Sequence, residues 1–162
     1  MRHAAITLAV VALAAAGCHR GAGESAPAHP ATPKEVVAAA RATIEQWRQA
    51  YEVHSVEALA KLYAHDIDLV VVQDGLAIVG WSSVESMLKE HIARYKEIHV
   101  RLKDIQVQSL GDSAAVATAA MTREQGDSVT TVTESGALTV VLRKAGDTWQ
   151  IVTEHWSYKR GS

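Results

Sequence analysis

The sequence predicts an α+β fold, with amphipathic helices first and a long antiparallel meander after them. Three observations carry this. Apolar residues recur at helical spacing in three stretches up to Tyr95. From residue 98 onward the pattern changes to the two-residue alternation of half-buried strands. Gly111-Asp112, Gly126-Asp127 and Gly146-Asp147 punctuate that second half as turns. At 162 residues the chain is one domain with an appendage, and 48% apolar against 21% charged residues is an ordinary globular composition.

The first helix is predicted over about residues 33 to 53. Thr32 is its cap, Pro33 suits the first helical position and Glu35 completes a capping box. Val36, Val37, Ala40, Ile44, Trp47 and Tyr51 fall on one face. Ser55 caps a shorter helix over residues 56–64, with Val56, Leu59, Ala60 and Tyr63 as its stripe. A third helix is expected to start at Ser82-Ser83-Val84-Glu85 and to bury Val84, Met87, Leu88, His91, Ile92 and Tyr95. Between the second and third helices, strands 69–73 and 76–79 flank Asp74-Gly75, a strong tight-hairpin signal.

Four longer strands are predicted over about residues 98–109, 113–124, 129–144 and 148–158. Alternation fails at Lys103-Asp104 and around Gly136, where bulges are expected to bend the sheet. A strongly bent sheet over amphipathic helices encloses a cone-shaped cavity, whose open end is the default ligand site.

Composition excludes several functions. Sixteen basic against eighteen acidic residues give a formal net charge of −2, which argues against nucleic-acid binding by phosphate neutralisation. One cysteine excludes an intramolecular disulfide framework and a multi-cysteine zinc site. There is no Gly-x-Ser-x-Gly elbow, phosphate loop or His-Glu-x-x-His, and His65-Asp66-Ile67-Asp68 is too compact for a metal site. No cofactor is expected.

The N-terminus reads as an address. Arg2-His3 precede an uncharged, mainly apolar run from Ala4 to Ala16, the length of a signal-peptide core and too short to span a bilayer. The run ends Ala15-Ala16-Gly17-Cys18, which resembles the lipobox of bacterial lipoproteins, with Ala15 where Leu is commoner. Residues 1–17 are then a signal peptide, with Cys18 the lipidated first residue of the mature chain; ordinary small-residue cleavage nearby is the alternative. Residues 18–32 form a flexible tether and residues 33–160 the folded domain. The expected location is the bacterial cell envelope, attached to the membrane through the lipid, on the periplasmic side in a Gram-negative host.

The element order, Leu62-Tyr63-Ala64-His65-Asp66, Gly80-Trp81 and the closing Trp149-Gln150-Ile151-Val152-Thr153-Glu154-His155-Trp156-Ser157 together resemble SnoaL-like domains and the association domain of calmodulin-dependent kinase II. Both belong to the nuclear transport factor 2-like superfamily. The resemblance spans about residues 33–158 and implies a cone-shaped, curved antiparallel sheet wrapped over three N-terminal helices. It also implies a homodimer paired through the outer sheet face, for which Thr130, Thr131, Thr133 and Thr139 suit a half-polar surface. One fold hosts many activities, so each site needs its own argument.

Ketosteroid isomerase members need a carboxylate base in the first strand and a tyrosine in the first helix. The matching positions here are Val71 and Trp47, and neither does that work. Cyclase members imply an Asp/His arrangement, for which Asp68, His91, Glu134 and His155 are the candidates. Asp68 alternates outward from Leu69 and Val71, and Glu134 lies mid-strand near Gly136 and is equally read as solvated. His155 shares strand parity with Trp149, Ile151, Thr153 and Ser157; if that face is concave, it is the best catalytic candidate, and otherwise it anchors the end strand. His91 is either a ligand contact or a core histidine. Trp47, Tyr51, Tyr63, Val71, Trp81, His91, Tyr95 and His155 make up the expected ligand-binding set. The functional expectation is a small amphipathic ligand in the cavity or a dimeric assembly role. The alternative is a cofactor-independent cyclase, dehydratase or isomerase using a cavity His and carboxylate.

Overall fold

The computed structural model describes residues 29–159. The expected leader, Cys18 and most of the tether therefore lie outside the described residues. Helix α1 (Pro33–Glu52) starts at a complete capping box: the Glu35 amide donates to Thr32 Oγ1 and the Thr32 amide donates to Glu35 Oε2. Val36, Ala40, Ile44, Trp47, Ala50 and Tyr51 are buried along one face, as the period requires. That face lies against the sheet.

Helix α2 (Val56–Ala60) is capped by Ser55, whose Oγ accepts from the Ala58 amide. It stops short of the predicted residue 64 for a tertiary reason. The Ala64 amide donates to the Ile151 carbonyl and the Ile151 amide donates to the Leu62 carbonyl, so this segment is drawn into the sheet. Helix α3 (Trp81–Arg94) also departs from expectation: its N-cap is Gly80 at φ 81°, and no side chain caps it. The predicted box at Ser82 does not form, because the helix starts two residues earlier, with Gly80 as N-cap and the Trp81 amide bonding to the Asp66 carbonyl. Val84 and Leu88 are fully buried; Met87, His91, Ile92 and Tyr95 are half-buried.

Strands β1 (Val70–Gln73) and β2 (Leu76–Val79) form the hairpin, with Asp74 and Gly75 both in the left-handed region at φ 52° and 77°. That is the backbone a tight Asp-Gly turn demands. Strands β3 (Glu97–Ser109), β4 (Ala114–Gly126), β5 (Thr131–Ala145) and β6 (Thr148–Lys159) are the meander. The six strands run in the order β2-β1-β6-β5-β4-β3. All pairs are antiparallel except β1 with β6, which the wholly antiparallel expectation missed.

The bulge expected at Lys103-Asp104 is present: the register with β4 jumps between Lys103 and Gln106, and Asp104 has φ 53°. The irregularity expected at Gly136 takes another form. Its register is continuous, but a Cβ there would lie 1.6 Å from the Ser157 carbonyl oxygen, so only glycine permits this approach of β5 to β6. The second bulge lies instead on β6. Val141 pairs with Thr153 and Leu142 with Ile151, leaving Val152 as the extra residue. Ile151 faces inward before it, and Glu154 and Trp156 face inward after it.

Candidate functional site

Two polar clusters are buried between the helices and the concave face of the sheet. The first surrounds Glu154, which has no accessible surface. Tyr63 donates its hydroxyl to Glu154 Oε2 at 2.5 Å, and Trp156 donates its indole N–H to Oε1. Trp47 donates to the Tyr63 oxygen at 2.9 Å. Burial pushes the Glu154 carboxyl up to about 7, against the opposing pull of the Tyr63 and Trp156 donors. It likewise pushes the Tyr51 and Tyr63 hydroxyls above their ordinary range. Every polar side chain that holds this carboxylate is itself protein-bonded.

The second cluster lies at one end of the barrel. The C-termini of α1 and α3, the β1–β2 turn, the end of β6 and the start of β5 meet there. Strand alternation continues the inward series Ala115, Ala117, Ala119, Met121 into Arg123 and Gln125, which are 1% and 4% exposed. Arg123 donates to Glu134 Oε2 through Nη2 at 2.6 Å and Nε at 3.2 Å; Gln125 donates to the same oxygen at 3.3 Å. The guanidinium carbon sits 4.4 Å from the Trp156 ring centroid and 4.8 Å from that of Tyr158. Tyr51 touches Trp156 and His91 edge-on, and His91 lies against Tyr95. Burial holds the His91 ring down at about 3, helped by Arg123, Arg94 and His54, so it is neutral near pH 7.

This second cluster is unfinished. Arg123 Nη1, Gln125 Oε1, Tyr158 Oη and His91 Nε2 are all buried, and none finds a hydrogen-bond partner. Buried polar atoms are ordinarily paired, so several orphans on neighbouring residues make this cluster the candidate site. Two depressions reach His91 and Tyr158, and neither is lined by Arg123 or Gln125. One, of about 200 Å³, is lined by Gln73, Met87, His91 and Arg94; the other, of about 610 Å³, by Gly75, His155, Trp156 and Tyr158.

A SnoaL-like domain model matches residues 40–160. The chain belongs to the SnoaL-like domain family. No curated protein matches it. Among solved structures it is similar to a candidate dehydratase of the NTF2-like family from Streptomyces avermitilis, at 20% identity, TM-score 0.70, over 76% of this chain and 96% of that one. It is also similar to a candidate aromatic ring hydroxylase from Novosphingobium aromaticivorans, at 16% identity, TM-score 0.72, over 80% and 93%. An NTF2-like protein of unknown function from Pseudomonas putida aligns at 23% identity, TM-score 0.65, over 76% and 87%. At these identities the likeness is one of fold.

The SnoaL-like cone distributes the sequence-predicted residues unevenly. Trp47, Tyr63 and Val71 are core, each 1% exposed or less. Tyr51, His91 and Tyr95 reach the unfinished cluster. Trp81 lies elsewhere, stacked on His65 at 4.2 Å beside the start of α3. Asp68 is exposed. Glu134 is not solvated but holds Arg123.

His155 requires a correction. It is exposed on the outer face, because the Val152 bulge reverses the parity that the alternation from Trp149 implied. The inward residues of this strand are Glu154, Trp156 and Tyr158, which parity counted back from the Trp156-Ser157-Tyr158 end would have found. Arg123 and Gln125 were missed although they share parity with Met121. Their signal was a charged and an amide side chain continuing a buried series.

Proposed function

We propose that this SnoaL-like domain binds a small amphipathic molecule at the end of the cone where Arg123, Gln125, Tyr158 and His91 meet. The observation that supports it is the group of four buried, unpaired polar atoms beside an aromatic wall. Apolar and aromatic surface with a few convergent polar groups is the usual make-up of a small-molecule site. Native mass spectrometry of the purified chain tests the reading. A discrete added mass, lost on Tyr158→Phe, is the expected result. An empty chain that no member of an aromatic small-molecule library stabilises against heat would overturn it.

The alternative is a cofactor-independent cyclase, dehydratase or isomerase. With His155 outside, its histidine would be His91 and its carboxylate Glu154, whose raised proton affinity favours the idea. Against it, both Glu154 oxygens are held by Tyr63 and Trp156. Catalysis would require Glu154→Gln to abolish turnover in a folded protein without weakening ligand binding.

Attachment through a lipid on Cys18 is part of the same proposal, and rests on the Ala15-Ala16-Gly17-Cys18 sequence. Cys18→Ser is expected to move the protein from the membrane to the soluble fraction. The proposed homodimer would pair the outward residues of β4 and β5, among them Val116, Thr118, Ala120 and Thr139, which are small and largely uncharged. Light scattering that reports a monomer at micromolar concentration would exclude that pairing.

A further inference from the structure

We infer that the ligand of this site carries an uncharged planar head offering an acceptor and a donor side by side, as in a carboxamide, rather than a carboxylate. This rests on the binding reading above and specifies its chemistry. The buried arginine at first suggests an anion, but the anion is already present. Arg123 and Glu134 are paired inside the protein, with side chains 2% and 13% exposed. Glu134 takes Nε and Nη2 of the guanidinium, its side-on fork, so the positive charge is already matched by a carboxylate within the protein. A second carboxylate would sit uncompensated next to Glu134, with Glu154 behind Trp156, in a region shielded from water.

The remaining hydrogen-bonding capacity is mixed. Arg123 Nη1 is a pure donor and Gln125 Oε1 a pure acceptor. Both residues bond the same Glu134 oxygen, so the guanidinium and the amide converge on one carboxylate. A carbonyl facing Nη1 and an N–H or O–H facing Oε1 satisfy both without adding charge. Tyr158 Oη and a neutral His91 Nε2 accept either role. The Trp156 and Tyr158 rings around the guanidinium favour a flat ligand body.

Titration calorimetry of the purified chain with 2-naphthamide, 2-naphthoate and naphthalene at pH 7.5 tests this. The amide is expected to bind at least about tenfold tighter than the other two. Gln125→Leu is expected to remove about that factor for the amide and leave naphthalene unchanged. Tyr158→Phe serves as the second variant should Gln125→Leu not fold. Equal or tighter binding of the naphthoate overturns the uncharged head while leaving the binding reading in place. Equal binding of naphthalene, or an amide affinity untouched by either variant, overturns the polar match in the same way. If none of the three binds to folded protein, the inference falls, and the binding reading falls with it only when the native mass spectrum is also empty and no library member stabilises the chain.

Discussion

The two buried clusters differ in one respect that separates structure from site. Around Glu154, the side chains that hold the carboxylate close a network with Tyr63, Trp47 and Trp156. Around Arg123, four buried atoms remain open. Trp156 belongs to both, donating to Glu154 while its ring lies against the Arg123 guanidinium. A closed polar network specifies a core, whereas buried polar atoms left unpaired are costly and call for a further partner. Substitutions in the first cluster should therefore be read in stability, and in the second mainly in binding.

The largest expected effect lies where the clusters adjoin. Gly136→Ala would place a methyl 1.6 Å from the Ser157 carbonyl oxygen and within 3 Å of Tyr158 Cα, backbone atoms that cannot step aside. Urea denaturation should show a loss of about 3 kcal/mol or more, with damage to both clusters as β5 and β6 part. A variant of parental stability would mean that the two strands do not approach as described.

The next effect is a pH dependence of opposite sign in the two clusters. The folded Glu154 pKa, about 7, lies above the ordinary 4.5, so the native state holds the proton more tightly. Its contribution is present below about 4.5 and is lost as pH rises through about 7, on the order of 3 kcal/mol in full. His91 runs the other way: depressed to about 3 from 6.5, it costs stability as pH falls below 6.5. Over the middle of the range the two oppose each other, so the parent's own profile is blunted. The comparison is sharpened by variants. Relative to Glu154→Gln, the parent should lose stability between pH 5 and 8; relative to His91→Asn, it should lose stability between pH 6.5 and 4. Parallel profiles for either pair would refute the corresponding burial.

Tyr63→Phe removes one donor to Glu154 and the acceptor of the Trp47 indole. About 2 kcal/mol of stability should be lost, with ligand affinity unchanged. The smallest effect belongs to the second cluster. Replacing Arg123 and Glu134 by Met and Gln125, which would otherwise lose its Glu134 acceptor, by Leu should change stability by about 1 kcal/mol or less, since a buried ion pair is readily exchanged for apolar packing, while ligand binding disappears. If this triple variant unfolds and Tyr63→Phe does not, the roles of the clusters are reversed.

The sequence by itself determined what is local. The Thr32 and Ser55 caps, the Asp74-Gly75 turn, the stripe from Val36 to Tyr51, the meander and the Asp104 bulge each depend on residues a few positions apart, and the structure has all of them. The SnoaL-like cone follows from their order. Tertiary structure alone decided the end of α2, the start of α3, and which face of β6 looks inward. Parity is a running count, so one extra residue at Val152 exchanged His155 for Glu154. Nor does alternation reveal that Glu134, 11 residues from Arg123 in sequence, neutralises it across two strands. Whether a buried polar atom is paired depends on neighbours brought together by folding, and at the unfinished end that difference is what supports the proposed site.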